Sequence, residues 1–361
     1  MKKKARKSKK IFVVLLAVII LLLVILIASF MVLNHYTSKL NYQPVDNNIE
    51  EPVYTPEATK EPELSNQEKE EIYSIDEQLK KNLEAGLDRE FDDKDVTNIL
   101  LIGVDNDSNM EARGNADGLI ILSINKETRQ IVLTSLMRDI YVSVPDKYNT
   151  KLTMAYHYEG TEGLIDTVEA NFGIPIDNYI LVNYINVIDI VDAVGGVTLD
   201  VNQAEIYWMQ EKIHNLNSLI GAGYTDNLLS VDQAGTIQMN GVQTAAYLRI
   251  RNTGNNDFGR TERARKVLLQ IKNQVTGMGL KELNALANTV LPCITTDLTQ
   301  GEILSLLLNS LDFMNYEFLS SRIPIDGYYY SADYYGAVIV PDYEVNREYL
   351  YQSIYEGTLK N

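Results

Sequence analysis

The sequence predicts a mixed α/β domain, a central mixed β-sheet flanked by helices, preceded by one N-terminal transmembrane helix. Three observations carry that expectation. Short apolar runs (NILLIGV, LIILSI, IVLTSL, YILVNY and VTLDV) alternate with helix-period segments and do not repeat, the pattern of a layered α/β domain. Residues Ile11 to Leu33 carry no charge. The ten residues before them, MKKKARKSKK, hold seven basic side chains and no acid.

Residues 1–10 read as a cytoplasmic basic tail and 11–33 as the membrane span. At 1.5 Å per residue the span measures about 34 Å, enough for a bilayer core, whereas the apolar core of a cleaved signal peptide runs to only about 7–15 residues. Positive charge stays inside, so the rest of the chain is expected outside the cell. Residues 34–64 read as a stalk, because Pro44, Pro52, Pro56 and Pro62 stand there among Glu, Thr and Asn with little to bury. Ser65 and Glu68 form a capping box. It opens an amphipathic helix within 65–92, a spacer or an element packed on the domain, with Ile72, Ile75, Leu79 and Leu83 at helical spacing.

The core, 96–277, begins with the buried strand 98–104. Strands 119–124 and 131–136 follow, joined by the turn NKETRQ. Leu164, Ile165, Val168 and Phe172 lie on one face of a helix over 161–172. Next come a strand at 179–184, a helix over 186–194 ended by Gly195-Gly196, and a strand at 197–201. A helix around Trp208 leads into a loop. The apolar stretch 245–250 reads as another strand, and a helix begins near Gly259. The remainder, 278–361, is expected to pack on the same domain, with helices over 300–311 and from about Asn346.

Charge and chemistry narrow the function. Seven of the 32 basic residues lie in the first ten, so the expected outside part has 25 basic against 49 acidic residues, a formal charge of −24. Such a surface repels nucleic acid. Cys293 is the only cysteine, which excludes an intramolecular disulfide and a Cys-based metal site. An exported chain without disulfides fits a Gram-positive-type envelope. His157 and His214 have no companion at ligand spacing. No GxSxG, GxxxxGK[ST] or Cys–His pairing indicates covalent catalysis.

An arginine cluster stands out against this acidity. Arg249 and Arg251, two apart on the expected strand, would point to one face and meet anions there, because buried guanidinium without a partner is costly. Arg260 and Arg263 fall near the start of the next helix, against its macrodipole. A bound polyphosphate explains both placements. Asp105 and Asp107 end the first strand and Asp117 sits at the mouth of the next, where carboxylates line ligand crevices in α/β sheets; each also suits a plain turn. Arg138 and Asp139 follow another strand and equally suit a local ion pair. Together, the arginines and two carboxylates suit Mg²⁺ shared with phosphates.

In order, NILLIGVD, ADGLIILSIN, SLMRDIYVSVP, KLTMAY, GIPIDNYILVNY, VDAVGGVTLDV, the run at 240–251 and DFGRTERARKVL resemble the LytR-CpsA-Psr family of bacterial envelope proteins, including its short cytoplasmic tail and single anchor. The resemblance implies a membrane-anchored phosphotransferase. Its substrate would be a polyprenyl-pyrophosphate-linked glycopolymer, such as teichoic acid or capsule, held by its lipid in an apolar groove. The phosphoglycosyl unit would pass to a peptidoglycan hydroxyl, releasing polyprenyl phosphate. By the same resemblance Asp105 and Asp117 fall on magnesium-binding aspartates, with Mn²⁺ a possible substitute. Arg138, Arg249, Arg251 and Arg260 fall on pyrophosphate-binding arginines, Lys151 on a motif lysine and Asp257 on an acidic site residue. Asp139 and Arg263 would support them. Two positions depart from the pattern: Asn115 stands where an arginine is common, with Arg113 a nearby substitute, and Ala264 replaces a common glutamine. A polyprenyl-pyrophosphate hydrolase would use the same site. A non-catalytic regulator, in keeping with the family's transcription-attenuator label, is a third expectation.

Overall fold

The computed structural model describes residues 33–44, 70, 73–77, 79–81, 95–105, 114–253, 256–333 and 336–359. The proposed span over 11–33 lies outside them but for Leu33, as do Asp107, Arg113 and most of the stalk. No helix among the described residues is long and apolar enough to cross a membrane.

In chain order the first strands are β1 (Asn41–Tyr42), β2 (Val96–Val104), β3 (Ala116–Asn125), β4 (Gln130–Leu136), β5 (Tyr141–Ser143) and β6 (Asn149–Lys151). Helix α1 (Leu152–Phe172), β7 (Asn178–Asn183), α2 (Tyr184–Ala193), β8 (Val197–Val201) and α3 (Gln203–Ile220) follow. Then come β9 (Gly235–Met239), α4 (Gly241–Leu248), α5 (Asn256–Thr276) and α6 (Leu280–Val290). The chain closes with β10 (Thr295–Thr296), α7 (Gln300–Phe313), β11 (Glu317–Ile323), β12 (Tyr329–Asp333), β13 (Ala337–Pro341) and α8 (Tyr343–Ile354).

Among the described residues seven strands form the central sheet in the order β1-β10-β7-β2-β3-β4-β11. The meander β2-β3-β4 is antiparallel, while β7 joins β2 and β11 joins β4 in parallel, so the sheet is mixed. Both faces of the central strands are covered, and their sequences are accordingly near-continuous apolar runs. On one face Leu100, Ile102, Ile121 and Leu136 pack with Leu164 and Val168 of α1 and Leu350 of α8 in the main core. A second core joins α2, α3, α4 and the β8–β9 hairpin through Val191, Ile206, Met209, Ile213, Met239 and Ala245. Between this lobe and the other sheet face runs α5, whose Arg265 Nη1 donates to Ser135 Oγ of β4 at 2.7 Å.

Several expectations change. The stretch 245–250 is not a strand. Asn240 accepts from Gln243 N, and the Gln243 side chain returns the bond to Asn240 N, closing a capping box that starts α4. Ala245, Ala246 and Tyr247 are buried in the second core as a helix face, and Arg249 is the C-cap. Arg249 and Arg251 therefore leave a helix end, not a sheet face. Helix α1 starts at Leu152, well before 161, and bridges a break at Gly160, where φ is 76°. Helix α5 starts at Asn256, ahead of Gly259, so Arg263 lies beyond its first turn. Of the two readings of 65–92, the described residues follow the packed one: Ile75 and Leu79 are buried in the main core, and Asp76 accepts from Tyr141 Oη at 2.8 Å and Asn149 Nδ2 at 2.7 Å.

Candidate functional site

A bulge aims the central carboxylate. Along β2 and β3 Gly103 faces Gly118, but Val104 faces Ala116. Asp117 is the extra residue between them, freed from the ladder and turned by the bulge. Its carboxylate is only 5% exposed and accepts from Arg138 Nη1, from Arg251 Nη2 at 2.8 Å and from Arg260 Nη1 at 3.0 Å. Arg138 arrives from the end of β4, Arg251 from the loop after α4 and Arg260 from α5. Burial works against the charge of Arg251, but the adjacent Asp117 carboxylate holds its pKa above the ordinary value.

The other expected residues surround this hub. Asp105 follows β2. Its Oδ1 accepts from Asn115 N at 2.5 Å and its own N–H donates to Asn115 O at 3.2 Å. Asn115 thus shapes the strand mouth through its backbone. Asp139 lies 3.6 Å from both Arg138 Nε and Lys151 Nζ. Its pKa is raised, first by burial and also by Asp257, against the pull of Arg138 and Lys151. Lys151 therefore reaches the hub through Asp139. Asp257 comes within 2.9 Å of Arg260 Nη2, without the alignment of a hydrogen bond.

Arg249 is different in kind. Its guanidinium lies over the Tyr184 ring, 4.8 Å from the centroid, and among the described residues its buried Nη1 has no hydrogen-bond partner. Arg138 Nε, Arg260 Nε and Arg260 Nη2 are also buried without one. Arg138 Nε and Arg260 Nη2 still face the Asp139 and Asp257 carboxylates, but Arg249 Nη1 and Arg260 Nε are buried cationic donors left open, which is costly and marks a place for an anion. Arg263 turns away. It donates to Ile250 O and, at 3.2 Å, to Thr253 Oγ1, lies 3.6 Å from Glu205 and covers the Tyr247 ring. It clips the loop that carries Arg251. Burial lowers its pKa against the opposing effect of Glu205.

Two cavities meet at Asp117 and Tyr184. One, about 260 Å³, is apolar and lies between the sheet and α2, α4 and α5. Its floor is the face on which Ile180, Leu101 and Ile120 pair across three strands, as do Val182, Gly103 and Gly118. Val187 and Ile190 of α2 and Ala264, Leu268 and Ile271 of α5 form its walls. Ala264 thus faces the groove, where a glutamine would add an amide to an apolar wall. The other cavity, about 250 Å³, is polar and lined by Asp105, Asp117, Tyr184, Trp208, Lys212, Arg249, Arg251 and Asn252, with Ile250. Burial pushes the Tyr184 hydroxyl up to about 12, and Asp117 adds to the shift, so it stays a neutral donor at the junction.

Neither the groove residues nor Tyr184, Trp208 and Lys212 were expected from sequence. The signal for α3 was present: Asn202 and Glu205 form a capping box, which fixes the helical phase of Trp208 and Lys212. His214 stacks on Tyr224, and among the described residues no group of three or more His, Cys, Asp or Glu side chains forms a metal cluster.

Known proteins carry the same arrangement of chain. A model described as the LytR_cpsA_psr family matches residues 53–350. A relative from Oceanobacillus iheyensis, named polyisoprenyl-teichoic acid–peptidoglycan teichoic acid transferase TagU, is 31% identical over 271 residues, 71% of this chain and 75% of the relative. The solved structure of TagT bound to LIIa-WTA superposes with a TM-score of 0.57 at 21% identity, covering 75% of this chain and 95% of that one. YwtF (TagT) with bound octaprenyl pyrophosphate lipid gives a TM-score of 0.53 at 21% identity, with the same coverage. At that identity the two solved structures establish the shared fold.

Proposed function

Because the chain belongs to the LytR-CpsA-Psr family, we propose that it transfers a phosphoglycosyl polymer from a polyprenyl-pyrophosphate lipid to a peptidoglycan hydroxyl at the cell envelope. One observation supports this most: an apolar groove and a polar cavity join at an arginine cluster that has open, buried donors. A polyprenyl tail suits the groove, a pyrophosphate the junction and a sugar the polar side. The transferase name of the TagU relative and the octaprenyl pyrophosphate lipid bound to YwtF support this reading.

In this mechanism the phosphates displace Asp117 as the partner of Arg138, Arg251 and Arg260, and Arg249 adds its open Nη1. Charge-assisted, forked contacts fix the diphosphate and favour the charge that grows in transfer. The acceptor hydroxyl oxygen bonds to the sugar-bearing phosphorus, the bond from that phosphorus to the bridging oxygen breaks, and polyprenyl phosphate leaves. Asp105, with one carboxylate oxygen held by Asn115 N, offers the other to the hydroxyl proton. Asp105 and Asp117 line one cavity, and two carboxylates fit a Mg²⁺ ion that takes its remaining ligands from phosphate and water. Bound there, it would neutralise phosphate charge and polarise a phosphoryl oxygen.

Purified full-length protein with a polyprenyl-pyrophosphate glycan and peptidoglycan should release polyprenyl phosphate in step with glycan gained by the acceptor. Release without attachment would instead make it a hydrolase. EDTA should abolish transfer and Mg²⁺ or Mn²⁺ restore it; full activity in EDTA excludes the metal. The anchor over 11–33 predicts that protease added to intact protoplasts digests the C-terminal domain, and a protected domain sinks that topology. The groove has its own test. A Cβ on Gly118 would meet nothing closer than 3.8 Å, so Gly118→Val should fold normally. Its added methyls would narrow the groove beside Gly103 and weaken lipid binding by roughly tenfold or more, on the cost of overpacking. Unchanged lipid affinity would move the tail elsewhere.

A further inference from the structure

The transfer as described uses the groove, the arginines and two aspartates, but leaves the far wall of the polar cavity without a task. Trp208 and Lys212 of α3 form that wall. Their placement is fixed by the helix. Glu205, Trp208 and Lys212 follow one another at steps of three and four, one stripe of α3. Glu205 lies against Arg263, which clips the loop bearing Arg251, so the stripe faces the site. The adjoining stripe, Ile206, Met209, Ile213 and Leu216, is wholly buried in the second core. Helix α3 is therefore held rigidly, and Trp208 is half-buried against that core with part of its indole left to the cavity. The Lys212 ammonium meets Glu211 at 3.2 Å, but Glu211 is 64% exposed, so solvent weakens the pair and the ammonium remains available to a ligand.

A flat apolar ring beside a set of rotatable donors suits a pyranose. The indole covers the C–H face of the sugar, and Lys212 donates to its hydroxyl or acyl oxygens. The order of the cavities says which sugar. Asp117 and Tyr184 belong to both; with the tail in the groove and the diphosphate at the junction, the next unit in the polar cavity is the ring esterified to the distal phosphate. We propose that Trp208 and Lys212 are the platform for this first sugar of the donor, and that they let the protein favour glycosylated over bare polyprenyl pyrophosphate. The proposal rests on the lipid-pyrophosphate function given above.

Trp208 is the only tryptophan in the chain, so its own fluorescence reports on the platform. The full-length protein in detergent is titrated with two probes of equal chain length, polyprenyl pyrophosphate and polyprenyl pyrophosphoryl-N-acetylhexosamine. Displacement of a labelled polyprenyl pyrophosphate gives the affinity of each. The glycosylated lipid should bind more tightly and alone should shift or quench the emission. Trp208→Ala and Lys212→Ala should each weaken it by roughly five- to tenfold, the scale of one lost contact anchor. Neither should change the affinity for bare lipid, whereas Trp208→Phe should retain most of the preference. Equal affinities for the two lipids, equal emission changes, or equal losses for both in Trp208→Ala would overturn the platform while leaving the lipid function standing. If neither lipid displaces the label, the lipid-pyrophosphate function fails and the platform with it.

Discussion

Asp117→Ala is expected to abolish transfer and to lower the melting temperature of the empty protein by on the order of ten degrees. A carboxylate that serves a site can often be removed without harm to the fold. The structure argues otherwise, because three guanidiniums from β4, the α4–α5 loop and α5 converge on it and two of them are largely buried. Removing one partner of a buried pair typically costs about 3–5 kcal/mol; Arg138 and Arg260 keep Asp139 and Asp257 beside them, which puts the loss toward the lower end of that range. The loss should shrink when polyprenyl pyrophosphate is bound, because phosphate oxygens replace the missing carboxylate. Asp117→Asn keeps the size and one acceptor while removing the charge that competes with the ligand. It should bind the lipid at least as tightly as the native protein yet transfer far more slowly. Melting curves of the empty and lipid-bound forms, lipid affinity and transfer rate separate these effects. Near-native transfer by Asp117→Ala would remove the carboxylate from the mechanism. An unchanged melting temperature would show that the arginines do not depend on it.

The strands of the sheet were legible because they are buried on both sides and therefore apolar throughout, as in β2, β3 and β4. The strands β10 and β11 were not, since they join the sheet by pairing with residues more than a hundred positions away, which local pattern does not encode. The stretch 245–250 failed for a different reason. A short apolar run suits a buried strand or a buried helix equally, and what decides is the capping box at Asn240 and Gln243. The arginines were still found, because the cost of burying guanidinium does not depend on the element that carries it. Their common target was half visible. Asp117 could be picked out, but the bulge that turns it into the cluster depends on the pairing of Gly103 with Gly118. The groove was beyond reach, being assembled from alternate residues of three strands and one face each of α2 and α5.

Arg249→Ala should weaken polyprenyl-pyrophosphate binding by about 1.5–3 kcal/mol, the range for a hydrogen bond to a charged group, and leave the empty protein as stable as before or slightly more so. The sequence placed Arg249 and Arg251 on one face, meeting the same anions. The structure divides them. Arg138, Arg251 and Arg260 share Asp117, whereas Arg249 leans on the Tyr184 ring with Nη1 open. Contact with the ring returns about 0.5–2 kcal/mol, which roughly offsets burying part of the guanidinium, so truncation removes little net stability. The contrast is Arg260→Ala. Arg260 is 4% exposed and sits between Asp117 and Asp257, and its loss leaves Asp257 without its arginine and Asp117 with two of its three; that variant should lose both lipid affinity and several degrees of melting temperature. Arg249→Lys should recover only part of the affinity, because an ammonium cannot make the forked contact and fits the ring face less well. Lipid titration beside thermal melts of the empty proteins reads all three variants. If Arg249→Ala keeps its affinity but melts many degrees lower, Arg249 is a structural member of the Tyr184 contact and the pyrophosphate lies elsewhere.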